Sequence, residues 1–231
     1  MNHIDLTTIR LISGPGHGDD LCVMQWVARF AHEDESSRPT DHPECTSQVL
    51  AAFAIAFNDG VDDETRQRLI PFIPRLVGTA GDPEADAARV WLATDWLVRT
   101  FTPRWLRKAG LGAEADALEA LPELTTAELA RSAQPIIDAA RAKADAARAA
   151  AWDAARDAAW AAARDAAWAA AWDAARAAAS KTKGTYDAKY KAARKAADDV
   201  LKPLYAETIV ELRESALDLF DRMIDVKVAV A

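Results

Sequence analysis

The sequence predicts an all-α protein: a compact multi-helix domain followed by a long C-terminal αα-hairpin. Three observations lead there. No stretch sustains the apolar–polar alternation with β-branched residues that a strand requires. Apolar side chains recur instead at helical spacing between turn-forming residues, in several short blocks before residue 124. From about Thr125 onward the chain is almost entirely helix formers, dominated by alanine.

The elements follow in order. Asp19 and Asp20 suit the start of a helix running to about Ala31, with Leu21, Val23, Met24, Trp26, Val27 and Phe30 on its apolar face. ESSRPTDHPE is a loop. Thr46 or Ser47 caps a helix through Val49, Phe53, Ile55 and Phe57 that stops at Asn58-Asp59-Gly60. Residues 63–77 give one or two short helices, because Pro71 and Pro74 lack an N–H and break the run. Asp82-Pro83-Glu84 opens a helix to about Phe101, with proline at the first helical position. Pro103 opens a short one ending at Gly110. Pro122, with Thr125 and Thr126 as caps, sets the domain boundary near Leu121–Thr126. The division is therefore a compact helical domain over 1–124 and a helical hairpin over 125–231.

The hairpin begins with a repeat helix over 126–180. Large residues recur every four positions at Arg148, Trp152, Arg156, Trp160, Arg164, Trp168, Trp172 and Arg176, and nearly everything between is Ala or Asp. Each step of four advances about 400°, so the stripe drifts about 40° per repeat on a straight helix. Either the helices coil right-handedly, as a coiled coil of period above 3.6 does, or different tryptophans meet different surfaces. At least one of Trp152, Trp160, Trp168 and Trp172 is then expected to be exposed and to anchor a partner. Repeat expansion by slippage is the plainer origin, and it does not exclude a structural use. Ser180-Lys181-Thr182-Lys183-Gly184 is a stop, and a return helix follows over 185–225, kinked at Pro203. Its stripe of Ile209, Leu212, Ala216, Phe220 and Met223 is amphipathic. At 1.5 Å per residue the two helices span about 80 and about 60 Å, so the end of the second returns to complete the core of the first domain.

The strings DHPECTSQVLAAF, FNDG, RLIPFIPRLVGT, DWLVRTFTPRWLRKAGL, ALEALPEL and, near the end, ALDLFDRMIDV resemble a family of uncharacterised bacterial and bacteriophage proteins. That family shares an Asp-His-Pro-x-Cys string preceded by Trp and an Asp-Arg-Met-Ile end motif. The likeness covers 17–124 and roughly 205–226, with an alanine-rich spacer of variable length between. Here Pro39-Thr40 precedes Asp41, and the Trp is missing. The resemblance implies this organisation and no activity.

Charge and composition narrow the function. The net charge is -8, with 20 acidic and 11 basic side chains before residue 125, which argues against a general nucleic-acid binder or a protein held on anionic lipid. The apolar fraction of 51% is too high for a disordered chain. No apolar run approaches the roughly 20 residues of a membrane span, and the start lacks the pattern of a secretory signal. Two cysteines fit a reducing, cytoplasmic setting.

His17, Cys22, His42 and Cys45 form the one candidate metal constellation, an H-x4-C and an H-x2-C pair whose two imidazoles and two sulfurs suit tetrahedral zinc. The spacing matches no standard finger, and Cys22 on an apolar helix face reads equally as a small core residue. Asp41, His42 and Cys45 have the residue types of a thiol nucleophile. Asp59, Asp62, Asp63 and Glu64 lack the ligand pattern of a calcium loop and read as helix caps. Asn58, Arg75 and Asp95 are expected to make buried polar contacts that fix helix order. Residues 181–202 carry seven basic and three acidic side chains with Tyr186 and Tyr190 interleaved, a pattern that suits a polyanion or nucleic acid. The leading expectation is a structural or protein-interaction protein. A metal-binding module and a polyanion binder are the alternatives.

Overall fold

The computed structural model describes residues 4–32, 34–157 and 206–226, with the backbone alone over 148–157. The protein is all-α: no strand occurs among the described residues, only isolated bridges at Leu11–Leu21 and His17–Asp20. The helices are α1 (Val23–Phe30), α2 (Gln48–Gly60), α3 (Asp63–Gln67), α4 (Ile73–Leu76), α5 (Pro83–Trp96), α6 (Thr102–Lys108), α7 (Gly112–Glu119), α8 (Ala127–Asp157) and α9 (206–224). A 3-10 turn over Ile70–Phe72 precedes α4, and a π-helical stretch over Leu97–Phe101 follows α5. The turn of the expected hairpin, the start of its return helix, the basic segment 181–202, and Trp160, Trp168 and Trp172 lie outside the described residues.

Local signals place most of the helix starts. Ser47 caps α2, its Oγ accepting the Leu50 N–H at 3.3 Å, and Asp82 caps α5, accepting the Ala85 N–H at 2.9 Å. Asp62 caps α3 in the same way through the Thr65 N–H at 2.9 Å, with Asp63 and Glu64 in its first turn, whereas Asp59, expected as a cap too, lies at the end of α2 and accepts the Gly14 N–H at 2.7 Å. The Thr126 hydroxyl accepts the Leu129 N–H at the start of α8. The start of α1 differs from expectation. Asp19 and Asp20 lie in the turn before it and Cys22 is the N-cap, because Gln25 takes the Cys22 N–H at 3.2 Å and holds the preceding turn away from the helix.

The chain divides into two units that are not contiguous in sequence. The first comprises 1–97, 122–131 and 213–231; the second comprises 98–121 and 132–212. In the first, α1 packs on α2 and α4, and α2 packs on α5. Leu21, Val23, Met24, Val27, Leu50, Leu69, Ile73 and Leu76 are buried there, together with Leu219, Phe220 and Met223 of the C-terminal helix. The Phe220 ring lies 5.1 Å from Phe53 and 5.2 Å from Phe72, centroid to centroid. Polar contacts fix the register of that helix. Trp96 Nε1 donates to Ser215 Oγ at 2.8 Å and Arg89 Nε to the Met223 carbonyl at 3.0 Å. Arg68 forks onto Glu214, Arg75 reaches Asp221 at 2.5 Å and Asp225 at 2.8 Å, and Arg213 pairs with Asp62. Arg75 works at the surface, 37% exposed, and not in the buried role expected of it.

In the second unit α6 and α7 pack together, with Leu106, Ala115, Leu118 and Leu121 buried. Arg107 closes the pair by reaching Asp116 and Glu119. In the part of α8 that belongs to this unit, the buried or half-buried positions among the described side chains are Ala133, Ile137, Ala140, Ala144 and Ala147, spaced 4, 3, 4 and 3. Pro135 sits inside this helix and forfeits one intrahelical hydrogen bond.

Two outcomes follow. Phe220→Ala should lower the stability of the chain by about 3–5 kcal/mol in urea unfolding, the cost of emptying a filled aromatic site. Val90→Ala, at a position 46% exposed, should change it by less than about 0.5 kcal/mol. Asp62 is held down to about 2 by the Thr65 N–H, then by the Thr65 hydroxyl and Arg213, and Arg68 lowers Glu214. Carboxylates with depressed folded values contribute stability that is complete above their unfolded range and lost as pH falls. The urea midpoint of the wild-type chain should therefore drop between pH 4 and pH 2. Asp62→Asn, which keeps a cap but has no charge, should show a shallower drop.

Candidate functional site

The chemical variety of the chain gathers around the starts of α1, α2 and α5. Gln25, buried on the first turn of α1, organises the first of these places. Its Oε1 accepts the Gly16 N–H at 2.7 Å and the Cys22 N–H, while Nε2 donates to the Pro39 carbonyl at 2.9 Å and the Gly16 carbonyl at 3.2 Å. One amide thus fastens the 13–22 turn and the 34–41 loop to the same helix end. Gly16 is required there, because a Cβ would stand 1.7 Å from the Asp20 carbonyl oxygen. Asn58 acts similarly from the end of α2: it is fully buried and donates to the Ile12 carbonyl at 2.8 Å. Arg29 adds bonds to the carbonyls of Gly18 and Ser36.

The four candidate metal ligands stand on this scaffold as follows. His17 is exposed in a tight turn, its N–H donating to the Asp20 carbonyl at 2.9 Å. Cys22 is buried at the start of α1, and burial pushes its thiol up from the usual range despite nearby N–H groups. His42 is exposed, with Nδ1 2.8 Å from Asp41 Oδ1. Cys45 is half-buried, with Sγ 3.6 Å from Thr46 Oγ1. Among the described residues no group of three or more His, Cys, Asp and Glu side chains is placed to hold a metal ion. A thiol raised by burial carries less of the thiolate, the form that ligates metal and attacks as a nucleophile.

Beside His42 the structure opens a cleft of about 430 Å³ between the starts of α2 and α5. Ala51, Ala52 and Ile55 of α2 give it an apolar wall, and His42, Glu44 and Asp86 give it ionisable groups. Its end is built by a partly buried polar chain. Ser47 Oγ donates to Asp86 Oδ1 at 2.5 Å, and Arg89 Nη1 donates to the same oxygen at 2.8 Å. Arg89 Nη1 also reaches the Thr79 carbonyl at 3.2 Å, and the Ser47 N–H donates to Thr79 Oγ1 at 3.0 Å. Arg89 is buried with every one of these partners in place, so its charge is compensated where it stands.

Sequence reasoning passed over Gln25, Ser47's second role, Asp86 and Arg89. A signal for two of them exists: Asp82, Asp86 and Arg89 fall on one face of α5, at spacings of four and three. Gln25 carried the weaker signal of a single amide within the apolar run Val23-Met24-Gln25-Trp26-Val27.

Replacing Gln25 by Leu keeps its volume and strands two N–H groups and two carbonyls. It should cost more than about 2 kcal/mol in urea unfolding, since each buried unsatisfied group costs about 1–3 kcal/mol. Hydrogen exchange at the Gly16 and Cys22 amides should accelerate beyond the global change, marking the local release of the two loops.

No protein-family model matches the chain, and no curated protein or solved structure matches it either. Nothing in these comparisons bears on the bacterial and bacteriophage family that the sequence resembles.

Proposed function

We propose that the protein is a structural or protein-interaction protein that carries a long alanine-rich helix as a strut or binding surface. The observation behind the reading is α8. It runs for 31 residues, and of its described side chains only Ala133 and Ala140 are buried. At 1.5 Å per residue that is about 46 Å of helix. A mostly solvent-facing helix of such length contributes little to a core, and alanine lets another helix approach closely. Trp152, Trp160, Trp168 and Trp172 are the anchors this reading assigns, since buried aromatic side chains dominate interface energetics. Membership of the family with the Asp-His-Pro-x-Cys string and the Asp-Arg-Met-Ile end motif belongs to the same proposal. Leu219, Phe220, Met223 and Ile224 of that end motif are core residues here, which gives the motif a packing role.

No helix among the described residues is long and apolar enough to cross a membrane. A protein partner, including a second copy of the chain, is the partner class the reading names. The test replaces all four tryptophans by Ala together. Light scattering coupled to size-exclusion chromatography should give the wild-type chain a mass above that of the monomer. The variant should fall to the monomer mass with its helical circular dichroism intact, because Ala is the better helix former. A monomeric wild type, or an unchanged mass in the variant, would overturn the assignment of these residues.

A further inference from the structure

We infer that the cleft between the starts of α2 and α5 is a docking site for the chain's own residues 227–231, the Lys-Val-Ala-Val-Ala sequence that follows Val226. The inference stands apart from the repeat helix and uses none of its tryptophans.

Two contacts bring the exit of the C-terminal helix to this cleft. Arg89 Nε donates to the Met223 carbonyl at 3.0 Å, and Nη1 of the same guanidinium donates to Asp86 Oδ1 at 2.8 Å. Asp86 lines the cleft, so one side chain separates the last turn of α9 from it. Arg75 of α4 holds Asp225 at 2.8 Å, and the turn that leaves α4 carries Ala80 and Gly81 to the cleft lining. All of these residues belong to the first unit. The five residues after Val226 reach up to about 17 Å, at about 3.3 Å each.

The lining favours an apolar occupant, because its ionisable groups are already matched. Asp86 is neutralised by the buried Arg89 and accepts from Ser47. Asp41 holds the His42 ring, and Glu44 has a partner of its own. What remains is the wall of Ala51, Ala52 and Ile55, with Pro43 and Ala80. A charged ligand finds no unmatched counter-charge there and loses hydration on entering. Short apolar side chains lose none, and they release water from the wall. The sequence after α9 supplies such side chains. Val226, Val228 and Val230 alternate with Lys227 and Ala229, so in an extended stretch the valines share one side and Lys227 stands on the other. The cleft, about 430 Å³, is of the size that takes a small ligand, and valine side chains fit within it. Tethering adds to this. A segment fixed a few residues from its site competes at an effective concentration of about a millimolar, so a weak apolar contact is populated. The filled cleft is closed to other chains, and a partner must displace the segment to enter.

The experiment uses the full chain with 15N and 13C-methyl labels. Nuclear Overhauser contacts are expected from the Val228 and Val230 methyls to those of Ala52 and Ile55, unchanged on tenfold dilution. Val228→Ser and Val230→Ser together, which alter no charge, should shift the amides of Ala51, Ala52, Ala80 and Gly81 and leave that of Phe220 in place. Ala52→Arg, at an exposed position of the wall, should abolish the contacts from both valines to Ile55. Ala56→Arg, one turn further along α2 and outside the cleft lining, should preserve them. Absence of the valine contacts, contacts to another surface, contacts that fade on dilution or survive Ala52→Arg, or amide shifts confined to the neighbours of the serines would each overturn the inference.

Discussion

The first unit depends on one long-range contact: the seating of Phe220 against Phe53 and Phe72. Without the C-terminal helix, Phe53, Phe72 and their neighbours in α2 and α4 would face water, and Arg89 would lose the Met223 carbonyl. The core therefore closes only when residues separated by about 150 positions have met, a costly search kinetically. The guanidinium pairs at Arg68, Arg75 and Arg213 are exposed, and exposed pairs add little affinity each. Their use is orientation. Arg68, just after α3, and Arg75 of α4 meet acceptors at 214 and 221 of the C-terminal helix and at 225 just past its end, while Arg213 reverses the polarity by pairing with Asp62. A one-turn slip would put several of these charges out of register together.

Arg89 carries the same dependence to the cleft. Its guanidinium joins the Met223 carbonyl to Asp86 and, through Asp86, to Ser47 at the cap of α2. The cleft wall and the C-terminal helix are held by a single buried cation.

Helix caps were legible in the sequence because capping is local. Ser47, Asp82 and Thr126 each sit one residue before the helix they start, and each accepts an N–H from its first turn. The terminal stripe was legible for a similar reason: Leu212, Ala216, Phe220 and Met223 repeat at helical spacing, and all four are buried. What sequence pattern did not carry was the loop geometry. Asp19 and Asp20 look like the first turn of α1, yet Gln25 draws the chain from Gly16 to Cys22 into a separate turn. His17, Cys22, His42 and Cys45 have the residue types of a zinc site at a spacing that matches no standard finger, and residue type does not say that Cys22 is buried while His17 and His42 face water. The short α7 escaped notice because Gly112-Ala113-Glu114-Ala115-Asp116 carries no cap and little apolar contrast. The cleft depends on residues from three separate segments, and no local pattern announces that.

The two periodicities of the alanine-rich helix place different demands on the same surface. From residue 133 on, the described side chains of α8 include buried Ala133 and Ala140 and half-buried Ile137, Ala144 and Ala147, a seven-residue register with small side chains at nearly every step. The large residues from Arg148 onward keep a period of four instead. A seven-residue register advances 3.5 residues per step and a tetrapeptide advances four, so the two sets cannot share a stripe for long. Extended along the sequence, the seven-residue register meets alanine again at 151, 154, 158 and 161 and then Asp165. The large residues step past it at Arg148, Trp152, Arg156, Trp160 and Arg164, and first fall on it at Trp168 and Trp172. The tetrapeptide repeat thus reads as two parts in one pattern. Any period-four set meets a seven-residue register in this way, two consecutive steps on it and five off, so the alternation follows from the two periods alone.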